Sequence, residues 1–421
     1  MRGTSGLALL AVALHAMPAR GSLDAGNEPG DKPSSDAGAR LQLGGYVRTL
    51  AGIEQLHYRL APDAAGTGPP DHLGLSATVL RLEWKAALDD RFSAEVHQRV
   101  FQRMSSESLA LGGSRLGLGA SVPPHRSIDL RLVAYDEDRL LLEHDLDRLV
   151  LRANLGLFDI FLGRQAITWG TGELFPVADL WTTYSPFELD TSQKRGVDAL
   201  RVLFSRSRAW EIEAVLADRG TLRDLSAGLR VATYREHVDI YVAIAKQWRE
   251  MLALAGAAAT AGSFKLRAEA AEPYDLDQGS FALPRLSLAT DWLHSSFTLT
   301  LEAHYNGTGV RAADQYFTHL STSPALAHGE SYLVGRLYTG AAASWKISEL
   351  FQLTVSGICN LRDPSALVAA AFTWRLVQET ELAFGTFQGI GRSFLIGPTP
   401  TMRSEFGSYG SLFYLALANY F

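Results

Sequence analysis

The stretch FTLTLEAHYN, residues 297–306, alternates strictly between two kinds of side chain. Its odd-numbered positions are apolar or aromatic, and its even-numbered positions are polar. Successive side chains of a β-strand point to opposite faces, so the stretch predicts a strand with one apolar face and one wettable face.

The same alternation recurs along the chain from residue 41 onward. It is found in LRLEWK (80–85), VDIYVAIA (238–245), FKLRAE (264–269) and FQLTVS (351–356). Strands of this kind are half buried in a soluble sandwich or face lipid in a membrane barrel. The period alone therefore leaves both folds open.

Strand length and aromatic placement favour the membrane. The candidate strands run to about ten residues, which suits a tilted strand that crosses a bilayer and exceeds the usual soluble strand of about five or six. No run approaches the roughly 18 uninterrupted apolar residues of a membrane-spanning helix. Aromatic residues stand at strand ends, as in interfacial girdles. They are Tyr46, Trp84, Phe101, Trp210, Trp248, Trp292, Tyr305, Trp345 and Trp374.

The last residues of the chain also favour a membrane barrel. SLFYLALANYF, residues 411–421, places Phe413, Leu415, Leu417 and Phe421 on one parity. This ending resembles the C-terminal strand of bacterial outer-membrane barrels, whose last residue is usually Phe. The resemblance implies that the barrel-insertion machinery reads this strand as a partner. That family's pattern has an aromatic or apolar residue two positions before the end, where this chain carries Asn419.

Composition and the N-terminal residues limit the remaining classes of protein. Residues 1–22 have the make-up of an export signal peptide, with Arg2 before an apolar core. Residues 23–40 are rich in Gly, Pro, Asp and Ser and predict a disordered leader. The single Cys359 leaves no internal disulfide framework. The net charge of −6 gives no electrostatic case for a nucleic-acid partner.

These patterns predict an all-β fold, a transmembrane antiparallel β-barrel of about 16 to 18 strands over residues 41–421. A sheet in hydrocarbon must close on itself to pair every backbone group. We expect short turns at the periplasmic rim and long loops at the outer rim, in the outer membrane of a Gram-negative-type envelope with its lipid as partner. A barrel of this width must carry a channel or a plug.

The alternation stops over residues 163–201, which contain two Trp and two Pro. We expect the part around 171–195 to fold into the barrel. The candidate residues for pore constriction and solute contact are Arg164, Gln165, Trp169, Glu173, Asp179, Trp181, Lys194, Arg195 and Arg201. Trp169, Trp181 and Tyr184 would offer stacking faces to a sugar or an aromatic solute. The alternative is that these residues only latch the loop to the wall through ion pairs and Trp packing.

Arg164 poses a local problem. A regular strand over 159–165 would point Arg164 towards lipid, at a cost of about 2 to 4 kcal/mol at mid-membrane. Either Gly163 marks a β-bulge that turns Arg164 into the lumen, or Arg164 lies at the membrane interface. We favour the bulge.

The same region resembles the alginate-export and related porin-like families of outer-membrane barrels. The matching residues are Gly163, Arg164, Gln165, Trp169, Gly170, Asp179, Pro186, Lys194, Gly196, Asp198 and Arg201. The preceding strand pair, LDRLVLRANLG (146–156) and FDIFLGRQ (158–165), fits the same layout. The resemblance implies the fold and says little about the solute.

The sequence favours a porin-like channel for passive diffusion or export of small or polymeric hydrophilic solutes. Arginine slightly exceeds acid on the predicted lumen face, which favours anionic or saccharide solutes. We find no catalytic, metal or cofactor motif and expect no enzyme and no cofactor. Three alternatives stay open: an outer-membrane lipid or ester hydrolase that uses His304, a barrel plugged by its own loops, and a soluble secreted β-sandwich.

Overall fold

A computed structural model describes residues 40–62, 68–107, 126, 128–181, 193–207 and 209–421. The predicted signal peptide (1–22) and all of the predicted leader except Arg40 lie outside the described residues. So do residues 182–192, which include Tyr184 and Pro186.

The described residues form one closed sheet of eighteen antiparallel strands. In chain order they are β1 (Arg40–Gln55), β2 (His72–Ala87), β3 (Phe92–Ser105), β4 (Leu140–Asn154), β5 (Phe158–Gln165), β6 (Val197–Ser207), β7 (Trp210–Ala217), β8 (Ser226–Arg235), β9 (Val238–Gln247), β10 (Glu250–Ala261), β11 (Phe264–Asp275), β12 (Arg285–His294), β13 (Phe297–Tyr305), β14 (Leu337–Lys346), β15 (Phe351–Asn360), β16 (Ser365–Val377), β17 (Thr380–Ile390) and β18 (Ser411–Tyr420). The predicted fold class and the upper strand count are confirmed.

The sheet closes between its first and last strands. β1 pairs with β18 from Tyr46 opposite Tyr420 to Gln55 opposite Ser411. Next to this ladder, Gly45 and Phe421 exchange two backbone hydrogen bonds of 2.9 and 3.0 Å. Each strand of the described barrel therefore has a neighbour on both sides, as a sheet in hydrocarbon requires.

Side chains alternate between an exposed exterior and a buried interior. On β9, Ile240, Val242 and Ile244 are 47%, 58% and 60% exposed, whereas Tyr241 and Ala243 between them are 4% and 6% exposed. Apolar side chains on the outside and buried ones towards the lumen are the arrangement of a membrane barrel. The exposed parity is therefore the lipid-facing one.

The two rims differ in the length of their connections. Tight turns such as 236–237 and 295–296 join strands at one rim, where Glu236 and Ser295 have φ angles of 42° and 48°. The other rim carries the longer segments 56–71, 106–139, 166–196, 218–225, 276–284, 306–336 and 391–410. This asymmetry matches the expected short periplasmic turns and long outer loops.

The long loops contain short elements of their own. These are the strands Tyr58–Leu60, Arg131–Glu137, Ser280–Phe281 and Phe394–Ile396, the 3-10 turns Ala313–Gln315 and Phe406–Ser408, and the helices α1 (Tyr316–Thr322) and α2 (Pro324–Ala327). Within the described ranges, no helix has the length and apolar character needed to cross a membrane.

The largest buried apolar cluster lies inside the barrel. We call residues 166–196 the inner loop; the structure describes its parts 166–181 and 193–196. Ile167, Trp169 and Trp181 of the inner loop are 0%, 2% and 3% exposed and pack on lumen-facing residues of β6 to β11. The inner loop thus packs against β6 to β11, and its Leu174 and Phe175 belong to a second buried cluster with residues of β1, β2 and β14 to β18.

Candidate permeation pathway

The inner loop begins at the end of β5, where Gly163 has a φ of 116°. A Cβ added to Gly163 would lie 2.1 Å from the Leu149 carbonyl oxygen, so only glycine fits there. β4 and β5 pair residue for residue through this point. The favoured β-bulge is therefore wrong: a positive φ, and not an inserted residue, distorts the strand end.

Arg164 is enclosed within the wall and is 2% exposed. Its Nε and Nη2 donate to the Asp198 carboxylate at 2.8 and 3.0 Å. Its Nη1 donates to the Leu146 carbonyl at 2.7 Å and its Nη2 to the Ile128 carbonyl at 2.5 Å. The guanidinium therefore joins β4, β5 and β6 to the end of the 106–139 loop, and Gln165 beside it donates to Ala199 O at 3.1 Å.

Glu302 on β13 holds the middle of the inner loop. Its Oε1 accepts the backbone N–H of Glu173 at 2.7 Å, and its Oε2 accepts those of Leu174 and Phe175 at 3.1 and 2.9 Å. Three consecutive N–H groups thus converge on one buried carboxylate. Such charge-assisted bonds are stronger than bonds between neutral groups.

Glu269 on β11 holds the inner loop in a second place. It accepts backbone N–H groups from Thr171 on one oxygen and from Val177 and Ala178 on the other. The Tyr241 hydroxyl of β9 also donates to it, at 3.2 Å. Glu269 and Glu302 together fix residues 171–178 along β9 to β13.

Two tryptophans fill the space between the inner loop and the wall. The rings of Trp169 and Trp181 meet edge to face, with centroids 5.5 Å apart. The wall makes room for them with small residues: a Cβ on Gly228 would lie 2.6 Å from Trp169, and Ala243 and Ala245 are among the wall residues of the same cluster. Both rings are thus buried against protein in the described structure.

Asp179 ties the two described parts of the inner loop together. Its Oδ1 accepts the backbone N–H groups of Trp169 and Gly170 at 3.0 and 2.8 Å, and its Oδ2 binds the Lys194 ammonium. Burial raises the pKa of Asp179 above its ordinary value, although Lys194 acts in the opposite direction. Lys194 also donates to Thr168 at 3.2 Å.

The wall from β2 to β7 carries charged side chains in pairs. Three buried pairs are Arg81–Asp147 at 2.9 Å, Arg99–Glu143 at 3.1 Å and Arg201–Glu213 at 2.6 Å. A further arginine, Arg126, binds Asp145 at 2.8 Å. Because each of these arginines has an acidic partner, the arginine excess inferred from the sequence does not leave free cations at these positions.

The loop at 306–336 covers the inner loop from the outer rim. The Tyr332 hydroxyl donates to the Leu174 carbonyl. Gln247 of β9 bridges the two loops by donating to the Leu180 carbonyl at 2.5 Å and to Glu330 at 3.1 Å. The inner loop therefore contacts both the wall and the 306–336 loop.

A chamber lies between the inner loop and the 306–336 loop. Its volume is only about 50 Å³, and Phe175, Arg285, His304 and Glu330 are among its lining residues. The His304 ring stacks on Phe175 at 5.0 Å, and its Nδ1 lies 3.0 Å from Leu286 O. His304 therefore faces the interior and not the lipid.

The nine predicted site residues separate into two groups. Glu173 is exposed, and Lys194 and Arg195 are half-buried. The other six are buried: Arg164, Gln165, Trp169, Asp179, Trp181 and Arg201. Trp169 and Trp181 pack the inner loop on the wall, Asp179 joins the two described parts of the loop, and Arg164, Gln165 and Arg201 bond to wall strands. Contact with a solute stays a prediction for all nine.

Sequence reasoning missed the role of Glu269 and Glu302. The alternation placed both on the lumen face, but their partners are backbone N–H groups, which carry no sequence signal. Gly228 was missed in the same way, because only the approach of Trp169 explains why a side chain does not fit there.

Comparison with known proteins places the fold. No protein-family model and no curated protein sequence matches the chain. Three solved structures resemble it across 90% of its length. They are OccAB4 of Acinetobacter baumannii (TM-score 0.54, 8% identity, 97% of that chain), a BenF-like porin from Pseudomonas fluorescens Pf-5 (0.53, 8%, 98%) and OccD3 (OpdP) of Pseudomonas aeruginosa (0.50, 10%, 91%).

The likeness shows that this chain has the fold of outer-membrane porins. At identities of 8–10% it shows the fold alone. The predicted resemblance to outer-membrane barrels is thereby confirmed, whereas the narrower resemblance to the alginate-export family stays a prediction.

Proposed function

We propose that the protein is an outer-membrane channel of the porin type, through which small hydrophilic solutes diffuse passively. One observation carries this proposal: the inner loop is anchored to β11 by Glu269 and to β13 by Glu302, inside an eighteen-stranded barrel. A barrel of this width cannot be filled by wall side chains. A loop anchored inside the lumen narrows the passage, and transport needs no covalent step.

The wall chemistry supports weakly charge-selective passage. The buried arginines of β2, β3 and β6 are neutralised by Asp147, Glu143 and Glu213. Such a wall offers many hydrogen-bond donors and acceptors with little net charge. We infer that polyhydroxylated solutes of saccharide size suit it better than strongly anionic ones, with Glu173, Lys194 and Arg195 as the loop residues that remain accessible.

A flux assay with sugars of graded size tests this proposal. Proteoliposomes that contain the purified protein are placed in iso-osmolar solutions of a pentose, a disaccharide and a tetrasaccharide, and swelling is recorded. We expect fast swelling with the pentose and progressively slower swelling with the larger sugars. Equal rates for all sugars, or no swelling beyond that of protein-free liposomes, would overturn it.

A permanently plugged barrel is the second candidate. It is favoured by a buried apolar cluster that includes Leu174 and Phe175 of the inner loop together with Leu50 of β1 and Leu412 of β18. A plugged barrel gives no sugar flux even when the loop anchors are removed by Glu269→Gln and Glu302→Gln. A channel gives flux in the unmodified protein.

A further inference from the structure

The outer rim above β13 to β17 carries a group of arginines that are not paired with acids. They are Arg311, Arg336, Arg362, Arg392 and Arg403, and we call them the outer basic patch. In the part of the chain that the structure describes, none of the five has a carboxylate oxygen within 4.0 Å. Arg311, Arg362 and Arg392 are exposed, and Arg336 and Arg403 are half-buried.

The ends of β14 and β15 bring two of these arginines together. The two strands pair as far as Tyr338 opposite Asn360. One step further, the Leu361 N–H donates to the Leu337 carbonyl at 2.9 Å. This bond extends the register past the strand ends and places Arg336 beside Arg362.

The loop before β18 adds Arg392 and Arg403. The Ser404 hydroxyl accepts the Arg392 N–H at 2.8 Å and donates to the Arg392 carbonyl at 3.0 Å. Because Ser404 directly follows Arg403, the two arginines lie side by side in this loop. The N–H of the next residue, Glu405, donates to Asp363 at 2.6 Å and joins the loop to the turn after β15.

The loop before β14 brings Arg311 to the same surface. Val310, which precedes Arg311, packs against a buried cluster that includes Met402. Met402 belongs to the loop before β18 and directly precedes Arg403. All five arginines therefore belong to one continuous part of the outer surface.

The acids of this surface do not balance the arginines. The same loops contain Asp314, Glu330, Asp363 and Glu405. Glu330 lies apart from the patch, beside Gln247 of β9, and Asp363 and Glu405 are hydrogen-bonded within the loops. Of these four acids, Asp314 alone is exposed. The outer basic patch therefore has an excess of positive charge.

Arginines above β7 to β12 show the contrast. Arg223 and Arg249 share the Asp277 carboxylate at 3.1 and 2.5 Å. Arg139, above β4, binds Glu107 at 3.0 Å. At these positions of the outer rim the charge is neutralised within the chain, whereas the outer basic patch leaves its charge open to an external anion.

Depth places the outer basic patch at the boundary of the hydrocarbon. On β15, Phe351 stands opposite Trp374 near the short-turn rim. From Phe351 to Leu361 the chain rises roughly 25 Å along the membrane normal, for a strand tilted by about 40°. The apolar band of such barrels is also about 25 Å tall. Leu361 has the outward parity of β15 and is 52% exposed, so Arg362 follows directly after the top of the lipid-facing surface.

The position and the chemistry of the outer basic patch select one kind of anion. A guanidinium group presents a planar fork of N–H donors that matches a phosphate group with two parallel hydrogen bonds. Basic side chains at the level of lipid headgroups attract anionic lipids. A patch of arginines directly above the lipid-facing ends of the strands suits a phosphate that is carried by a lipid of the outer leaflet.

We propose that the outer basic patch binds the phosphate groups of phosphorylated glycolipids in the outer leaflet of the membrane. The bound headgroup lies over the ends of β14, β15 and β17 and contacts the loops before β14 and β18. This binding does not require an open lumen, so it stands or falls separately from solute flux.

Thermal stability of the purified protein in detergent tests the proposal. Bisphosphorylated lipid A is the probe, with EDTA present so that no divalent cation bridges it to acids. A ligand that binds the folded state raises the temperature of the gel-mobility transition. We expect a rise of several degrees with this lipid, and almost none with the same lipid after both phosphates are removed or with inorganic phosphate at equal concentration. An equal rise with the dephosphorylated lipid or with inorganic phosphate would overturn the proposal.

A pair of matched variants locates the binding. Replacement of Arg362, Arg392 and Arg403 together by Gln should abolish the rise with lipid A. The control replaces Arg223 and Arg249 by Gln, which removes arginines of the same rim that are paired with Asp277, and it should keep the wild-type rise. Equal rises in the two variants would contradict the proposal.

Labelling after folding makes the outcome independent of how well the triple variant folds. Arg362→Cys is made in a Cys359→Ser background, folded, and then labelled with a thiol reagent that carries either a sulfonate or a quaternary ammonium group. We expect the sulfonate to weaken lipid A binding several-fold and the ammonium group to restore it, with no such difference at the control position Arg223→Cys. Equal binding with both labels at position 362 would show that the patch does not hold the lipid.

Discussion

At the scale of single residues, two carboxylates hold the inner loop inside the barrel. Glu302 receives three consecutive backbone N–H groups, and Glu269 receives three more from the same loop. A carboxylate has about four lone-pair sites and can accept such a set, whereas an amide has one accepting oxygen and adds two donors of its own. The docking of the inner loop therefore depends on a carboxylate, and not an amide, at both positions.

Glu302→Gln should loosen the inner loop. The amide nitrogen would meet the N–H groups of Glu173 or Phe175, and the loss of bonds to a charged group costs about 1.5–3 kcal/mol each. We expect a larger mean single-channel conductance and more frequent transitions between levels, measured in planar bilayers. The matched control is Glu381→Gln, an acid near the short-turn rim that contacts Arg375 and not the inner loop. Identical traces for Glu302→Gln, Glu269→Gln and wild type would contradict the anchoring role.

Gly228→Val should destabilise the docked tryptophans. The added Cβ would lie 2.6 Å from Trp169 and 3.1 Å from Trp181, and overpacking of this kind costs about 1–3 kcal/mol. We expect a lower temperature for the gel-mobility shift that separates the folded barrel from the unfolded chain. Gly357→Ala serves as the control, since its Cβ would lie at an ordinary 3.5 Å from the Leu367 carbonyl. An unchanged transition in Gly228→Val would mean that the tryptophans are not packed against this strand.

The sequence predicted some of these residues and not their roles. Trp169, Trp181 and Asp179 stood out because they interrupt an alternating pattern. Glu302 stood in the most regular strand of the chain and gave no such signal. Its three partners lie 127 to 129 positions away and are backbone groups, so no residue type at those positions reveals them.

At the scale of elements, the outer loops dock on one another through buried carboxyl groups. Glu405, in the 391–410 loop, accepts hydrogen bonds from Tyr338 at 2.5 Å, Asn360 at 2.7 Å and the Val334 N–H at 2.8 Å. It joins β14, β15 and the end of the 306–336 loop. Burial raises the pKa of Glu405 to about 7, and burial likewise raises the pKa of Glu330 to about 7.

Docking of the 306–336 loop should weaken as pH rises. Since the pKa of Glu405 is 4.5 when free and about 7 when docked, docking has no proton-linked cost below pH 4.5. The cost grows between pH 4.5 and 7 and is constant above, at no more than about 3 kcal/mol. We expect the Val334 amide to exchange hydrogen faster at pH 8 than at pH 5.5, after correction for the intrinsic rate. Glu405→Gln should reduce this pH dependence to the part that Glu330 contributes, and an equal dependence in both proteins would show that Glu405 is not responsible.

The elements were predicted more completely than their lengths and contacts. Strand alternation is a local property, and it predicted the wall strands and the separation of long loops from short turns at opposite rims. The bulge at Gly163 was wrong because alternation cannot tell an inserted residue from a single positive φ. The docking between loops depends on partners far apart in the chain, such as Gln247 with Glu330, and the pattern contains no trace of it.

At the scale of the whole molecule, closure of the sheet and the pairing of charged side chains determine the electrostatics of the lumen. The last residue, Phe421, pairs with Gly45 and completes the wall. Buried arginines of that wall are matched by acids, so the interior carries many dipoles and little net charge along β2 to β7. The number of lumen arginines alone predicts a preference for anions. Because these arginines are paired with acids, we expect that preference to be weak.

Ion selectivity should accordingly be small. In a tenfold KCl gradient, we expect the reversal potential of single channels to give a chloride-to-potassium permeability ratio within about threefold of one. Arg201→Gln would leave Glu213 with only the more distant Arg230, at 3.7 Å, and should shift the ratio towards potassium. A ratio above roughly tenfold in the wild type would contradict a neutralised wall.

A porin-type channel requires an inner loop that narrows an open lumen. Single-channel conductance of the wild type and of a variant lacking residues 172–192 tests this most directly. The wild type should give ohmic steps in a planar bilayer. The deletion should raise the conductance several-fold while the barrel keeps its heat-modifiable gel mobility. A wild type that is silent and stays silent after the deletion, with the barrel still folded, would contradict the channel itself.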